Sequence, residues 1–176
     1  MTYAVLMARL ALAGVLLVSA IAKARSFGET RAMLDGLLRR AGPGARRLAR
    51  PSAVALIAAE AVTAVALLGP AQTVRPGFMA AVVLTAGFTV VAVVVTVSRA
   101  EVSCACFGRP TARLGPRHIV RNAPLLGLAA VGLAGAGAAS WTSPALPAVL
   151  LCATAAAVIT AVAAFFDDIA DLLTVS

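Results

Sequence analysis

The amino-acid sequence predicts an all-α integral membrane protein, a four-helix transmembrane bundle with a fifth transmembrane helix at its C-terminus. Two observations lead to this fold class. The 176 residues are 61% hydrophobic and only 12% charged, with a mean hydropathy of +0.98, which leaves too little polar surface for a soluble domain. The apolar residues also form five long runs without the alternation of β-strands, each close to the roughly 20 residues that cross a bilayer as a helix.

The five predicted helices belong to one transmembrane domain over residues 1–176. Their expected bounds are about 3–22, 52–68, 77–97, 119–139 and 145–166. The first run, in which Arg9 precedes Leu10–Ala22, also fits a secretory signal that is cleaved, and both interpretations stay open. If this helix is retained, Ser19 and Lys23 lie one turn apart on the same face.

A short amphipathic helix is expected at the membrane interface between the first two transmembrane helices. The apolar residues of this segment recur at helical spacing with arginines on the other side, and they are Met33, Leu34, Leu37 and Leu38. The Gly-Pro-Gly sequence at 42–44 then ends the helix. Such a helix lies along the membrane surface.

The net charge of +8 is explained by a membrane better than by nucleic acid. Most basic residues fall in the first and third connections between helices, where arginine and lysine meet lipid headgroups. The few aromatic residues do not interleave with them as in proteins that bind single-stranded nucleic acid. We therefore expect the lipid bilayer as a partner and no nucleic acid.

The third connection contains two cysteines, Cys104 and Cys106, one residue apart among several arginines. A bent backbone can bring such a pair within the Cα separation of about 4.4–6.8 Å that a disulfide requires. Nearby arginines lower the pKa of a thiol and favour the nucleophilic thiolate, although Glu101 opposes this effect. A redox pair is the favoured interpretation.

Two alternatives for these cysteines stay open. In the first, they are inert, reduced residues at a helix end. In the second, they bind a metal, although two thiols and His118 are fewer than the four ligands of a closed zinc site. His118 itself is either a proton shuttle or an incidental interfacial residue. The residues identify no cofactor.

Glu60 is the only acidic residue deep within an apolar run, and an intramembrane carboxylate needs a partner or a cavity. In an antiparallel bundle the first and third connections share one side, which brings Lys23 and Arg121 within reach of it. Glu60 is then a proton donor or acceptor beside the thiols, or, as we favour, half of a structural ion pair. The residues expected to form the site are Cys104, Cys106, Glu60, Lys23 and Arg121. Cys152 enters from the opposite side and is expected to take no part.

The side of the membrane that carries the cysteines is predicted differently by two arguments. The excess of basic residues in the first and third connections favours the cytoplasm. Disulfide chemistry favours the exterior, where oxidised thiols persist. We favour the exterior, because a thiol pair that handles disulfides is of most use there.

A set of residues spread over about 19–126 is typical of one known family. They are Ser19, Lys23, Phe27, Glu60, Cys104, Cys106, Phe107, Gly108, Gly115, Arg121, Asn122, Leu125 and Leu126. On these residues the chain resembles the MauE family of methylamine utilisation proteins, which is related in architecture to DoxX-like membrane proteins. It departs from the family pattern at Ala105, where glycine is usual, and at Pro116, where an aromatic residue is common.

The resemblance implies a multi-pass protein of the bacterial plasma membrane that handles thiol–disulfide or redox equivalents. The expected client is disulfide-rich, as in maturation of the light subunit of methylamine dehydrogenase, and a thioredoxin-like protein is the expected partner. The residues leave open whether the protein is a membrane thiol–disulfide oxidoreductase or a non-catalytic assembly or scaffold protein.

Overall fold

A computed structural model describes most of the chain, and the described residues are 3–39, 42, 44–98, 116–137 and 145–174. Within these ranges the regular secondary structure is helical, with no strand. Five helices are long and apolar enough to cross a membrane. The chain is therefore an all-α, multi-pass membrane protein, and the predicted fold class is confirmed.

Seven α-helices follow one another along the described chain. They are α1 (Tyr3–Arg25), α2 (Phe27–Leu38), α3 (Ala49–Leu68), α4 (Ala71–Val97), α5 (Pro116–Ala136), α6 (Leu146–Ala164) and α7 (Phe166–Thr174). A 3₁₀ turn at Ala45–Leu48 leads into α3.

Four of the membrane-spanning helices close into a bundle. Helix α1 packs on α3, α3 on α4, α4 on α5, and α5 back on α1, while α6 packs mainly on α1. Each of the four bundle helices contributes to one apolar core, which contains Leu12, Leu67, Phe78 and Leu125. Helix α6 is therefore the predicted fifth span, added to the outside of the bundle.

Three helices begin earlier than the sequence predicts, among them α3, which starts at Ala49. Helix α4 starts at Ala71 because Pro70 is extended and ends the preceding turn, and Pro76 lies within the first two turns of the helix. A proline so near the N-terminus removes a single intrahelical hydrogen bond, which the long apolar run that follows tolerates. Helix α5 starts at Pro116. Proline suits the first helical position because it has no backbone N–H, and an N–H at that position would have no partner within the helix.

The predicted interfacial helix is present as α2, and its apolar stripe packs against the bundle. Met33 is buried beside Ala92 and Val95 of α4, with Leu34 and Leu37 at the edge of the same cluster. Helix α2 also packs on α3. It therefore lies across one end of the bundle, which we call the polar end because the buried charged residues described below lie there.

One glycine sets the distance between α4 and α5. A Cβ atom added to Gly132 would lie 2.1 Å from Cε1 of Phe78, closer than any real contact. At Gly127, in the same helix, an added Cβ would meet nothing within 4 Å. Gly132 therefore allows the ring of Phe78 to fill the core against the backbone of α5.

Candidate functional site

A buried ion pair joins α1 to α3 at the polar end. The Lys23 Nζ atom lies 2.7 Å from Oε1 of Glu60, and the two residues are 1% and 0% exposed. Ser19, one turn before Lys23, donates a hydrogen bond of 3.1 Å to the same carboxylate oxygen and accepts one from the lysine ammonium. A lysine and a glutamate that are both buried away from water require this kind of direct pairing.

The surroundings of Lys23 hold its ammonium in place. The residue lies in the last turn of α1, where the unpaired carbonyls of the helix end favour a positive charge. Its Nζ atom is 5.1 Å from the centre of the Phe88 ring, within range of a cation–π interaction. The hydroxyl of Thr30 donates to the Lys23 carbonyl at 3.3 Å and so ties α2 to the end of α1.

A cavity of about 50 Å³ adjoins the ion pair. Helix α4 contributes Thr85 and Phe88 to its wall, and α5 contributes His118, Arg121 and Asn122. A volume of this size has room for water, since a single molecule needs only about 10–15 Å³. It is far below the several hundred Å³ of a typical site for an organic ligand.

Arg121 reaches the cavity from α5 but forms its ion pair elsewhere. Its Nη1 atom lies 3.8 Å from Oδ2 of Asp167, and the two side chains are 6% and 21% exposed. The sequence left Lys23 and Arg121 as alternative partners of Glu60, and Lys23 is the one that pairs with it. Asp167 belongs to α7, which follows the five predicted spans, and the five membrane crossings bring it, by parity, to the polar end.

Oε2 of Glu60 and Nδ1 of His118 are buried at the cavity and have no hydrogen-bond partner in the described protein. The sequence left His118 as either a proton shuttle or an incidental interfacial residue, and the structure buries it at the site with 4% exposure. A buried polar atom without a partner costs about 1–3 kcal/mol, which makes both atoms candidates for binding a ligand or water.

Comparison with known proteins adds one finding to this geometry. The family model described as methylamine utilisation protein MauE matches residues 1–135. The chain belongs to the MauE family. No curated protein and no solved structure matches it.

Membership confirms the resemblance seen in the sequence and implies a role in methylamine utilisation. The part of the chain that matches the MauE model runs from α1 into the last turn of α5, so it includes the ion pair and the cavity. Helices α6 and α7 lie beyond it, and with them Asp167.

Three of the five predicted site residues of this MauE protein, Lys23, Glu60 and Arg121, line the same cavity. The other two, Cys104 and Cys106, lie outside the described residues. Their segment, 99–115, connects α4 to α5, and the adjoining first turn of α5 contributes His118 to the cavity wall, whereas the cavity residues of α4 end at Ala92.

The third cysteine is far from this site. Cys152 is buried in α6, with Sγ 3.7 Å from the carbonyl of Tyr3 at the other end of α1. The 20 residues between Tyr3 and Lys23 span about 30 Å of helix. Among the described residues, no three His, Cys, Asp or Glu side chains are grouped to hold a metal ion.

Proposed function

We propose that this MauE-family protein handles thiol–disulfide equivalents in the maturation of a partner protein for methylamine utilisation. The observation that carries the proposal is the buried Lys23, Glu60 and Arg121 cluster at the bundle end from which segment 99–115 leaves. Intramembrane charged residues are costly and usually mark a site of function. A thiol pair tethered beside such a cluster is suited to chemistry that moves protons together with electrons.

Cys104 and Cys106 are the reacting groups of this proposal. One thiolate attacks a disulfide sulfur of the partner protein and forms a mixed disulfide, and the partner's second sulfur leaves as a thiolate. The other cysteine then resolves the mixed disulfide, so that the pair is oxidised and the partner reduced. The same steps in reverse oxidise a client dithiol, and the direction is set by the relative reduction potentials.

The buried cluster has a supporting role in this chemistry. Positive charge from Lys23 and Arg121 favours thiolates nearby, and Glu60 exchanges protons with the site. A thioredoxin-like protein is the proposed redox partner, and a disulfide-rich protein is the proposed client. We place the cysteines at the outer face of the bacterial plasma membrane, where disulfides persist.

A non-catalytic scaffold is the second candidate function, and one observation favours it. The Lys23–Glu60 pair is fully enclosed and joins two helices, as a purely structural ion pair would. A scaffold for a membrane-associated partner needs this pair but needs no thiols. The cysteines therefore distinguish the two functions.

Trapping the mixed disulfide tests the proposal. Without its resolving thiol, an exchange intermediate persists. The Cys104→Ser or the Cys106→Ser variant should therefore show a protein adduct on non-reducing electrophoresis that disappears when the sample is treated with reductant. The matched control is Cys152→Ala, which removes the distant thiol and should behave as the wild type. If neither serine variant yields an adduct and the double variant retains full function, the scaffold function is correct.

A further inference from the structure

We propose that the cavity binds water between Oε2 of Glu60 and Nδ1 of His118, and that this water carries protons between the buried carboxylate and the polar end. Both atoms are buried and unpartnered within the described protein, and both residues line one cavity. The inference rests on the burial of these two atoms at one cavity and holds whether or not the thiols react.

The chemistry of the two atoms selects the ligand. Oε2 of a carboxylate accepts hydrogen bonds only, whereas Nδ1 of an imidazole either donates or accepts. Water satisfies both atoms at once in every protonation state. A small organic cation would suit the carboxylate alone, and the positive charges of Lys23 and Arg121 on the same cavity would repel it.

The volume agrees with this choice. The cavity of about 50 Å³ has room for water and is far smaller than a typical site for an organic ligand. Buried water normally makes about three hydrogen bonds, and the side chain of Asn122 on the same wall is available as a further partner.

The charged groups around Glu60 come from three helices. Helix α1 supplies Lys23, which holds the other carboxylate oxygen, and α5 supplies His118 and Arg121. Helix α7 adds Asp167, which lies against Arg121. The side chains that α2 and α4 contribute to the cavity do not titrate.

His118 exchanges the proton between the cavity water and the surface at the polar end. It lies in the first turn of α5, next to the exposed Arg117, whereas Glu60 is more than two turns inside α3. In the proton transfer, an imidazolium gives its Nδ1 proton to the water, and the water gives one of its own protons to Oε2. The products are neutral imidazole, water and a protonated carboxyl group, and the reverse step returns the proton.

Infrared difference spectroscopy on the full chain in lipid nanodiscs tests both parts of the proposal. A pH jump should produce a carboxyl C=O band that is missing in Glu60→Gln. A water O–H band that shifts in oxygen-18 water should be missing in Glu60→Gln. It should also be missing in His118→Phe, which has an aromatic ring at this position but no ring nitrogen.

The rate of the carboxyl band identifies the carrier. We expect His118→Ala to slow its appearance by about a hundredfold, the lower end for a positioned proton donor. Added imidazole should restore the rate in His118→Ala, which also shows that the variant is folded. Cys152→Ala, at the other end of the bundle, should keep the wild-type rate.

Two results would overturn the proposal. One is the absence of a Glu60-dependent carboxyl band at every pH at which the helices remain folded, which makes the ion pair purely structural. The other is a wild-type rate in both His118 variants. Since neither readout involves Cys104 or Cys106, these results leave the thiol–disulfide function to be decided by the trapping experiment.

Discussion

At the scale of single residues, the Lys23–Glu60 pair explains how a bundle of mostly apolar helices tolerates two buried charges. Lys23 and Ser19 occupy successive turns of α1, so both direct hydrogen-bond donors at the same carboxylate oxygen. The second oxygen of Glu60 remains without a protein partner. Oε1 of Glu60 thus joins α1 to α3, whereas Oε2 faces the cavity.

Removing one partner of this pair should destabilise the protein more than removing both. Lys23→Met or Glu60→Leu leaves one charge buried alone, and each should lower the free energy of unfolding by about 3 kcal/mol. The double variant should regain most of this loss, because no isolated charge remains. Thermal unfolding in one detergent, followed by circular dichroism, measures all three. If the single variants match the wild type, the pair contributes nothing to the fold.

At the scale of helices, α2 is attached at both ends by polar contacts. Thr30 bonds to the end of α1, and Asp35 receives hydrogen bonds of 3.1 Å from Arg46 and 3.0 Å from Arg39. Between them, Met33 packs into the cavity wall. The helix therefore covers the polar end by apolar contact in its middle and by hydrogen bonds on either side.

The Asp35 contacts should make the attachment of α2 pH-dependent. Hydrogen bonds from Arg46 and Arg39 hold the pKa of the Asp35 carboxyl below its ordinary value. The stabilisation is complete above the unfolded-state pKa of about 3.9 and is lost as pH falls through the folded-state value. We expect Asp35→Asn to unfold at a lower temperature than the wild type at pH 7, with the difference vanishing in acid.

The control for this experiment is Glu29→Gln, which removes another exposed carboxylate of the same helix. It should not reproduce the pH-dependent difference. A difference between the wild type and Asp35→Asn that is constant from neutral to acidic pH would show that the charge of Asp35 is irrelevant.

The contact between α4 and α5 gives a second test at this scale. Gly132→Ala forces Phe78 out of its position and should cost about 1–3 kcal/mol, the usual penalty for overpacking a core. Gly127→Ala is the matched control and should be neutral, since its new methyl group meets nothing. Combining Gly132→Ala with Phe78→Leu should recover stability. Equal unfolding temperatures for the two alanine variants would contradict the packing.

At the scale of the whole molecule, the sequence was sufficient for the five spans and for bringing Lys23 and Arg121 within reach of Glu60, but it did not choose between these two partners. The spans follow from hydropathy and length, and the common end follows from counting crossings. The contact of Asp167 with Arg121 and the burial of His118 could not be predicted in the same way. They depend on how α5 and α7 are rotated about their axes, which hydropathy and the number of crossings do not determine.

The start of α4 was missed for a different reason. Gly69 and Pro70 correctly mark the end of α3, but Pro76 was taken to extend the connection when it lies inside the helix. The roles of Cys104, Cys106, Glu60, Lys23 and Arg121 in chemistry remain predictions, because spacing and geometry indicate which groups meet and leave their reactions to experiment.

The side of the membrane that the polar end faces bears on both the topology and the proposed chemistry. Exposed arginines of α2 and of the turn before α3 surround the polar end, a pattern that favours the cytoplasm. Thiol–disulfide exchange on an exported client requires the same end to face outward. Only one of these arguments holds for this protein.

Labelling of Cys104 and Cys106 in intact cells with a membrane-impermeant thiol reagent tests the central claim most directly. With Cys152→Ala removing the distant thiol, our account predicts little labelling until an impermeant reductant is added, and labelling of both cysteines afterwards. This result requires a disulfide at the outer face. Labelling that is equally strong without reductant, or that appears only after the membrane is permeabilised, would contradict the account.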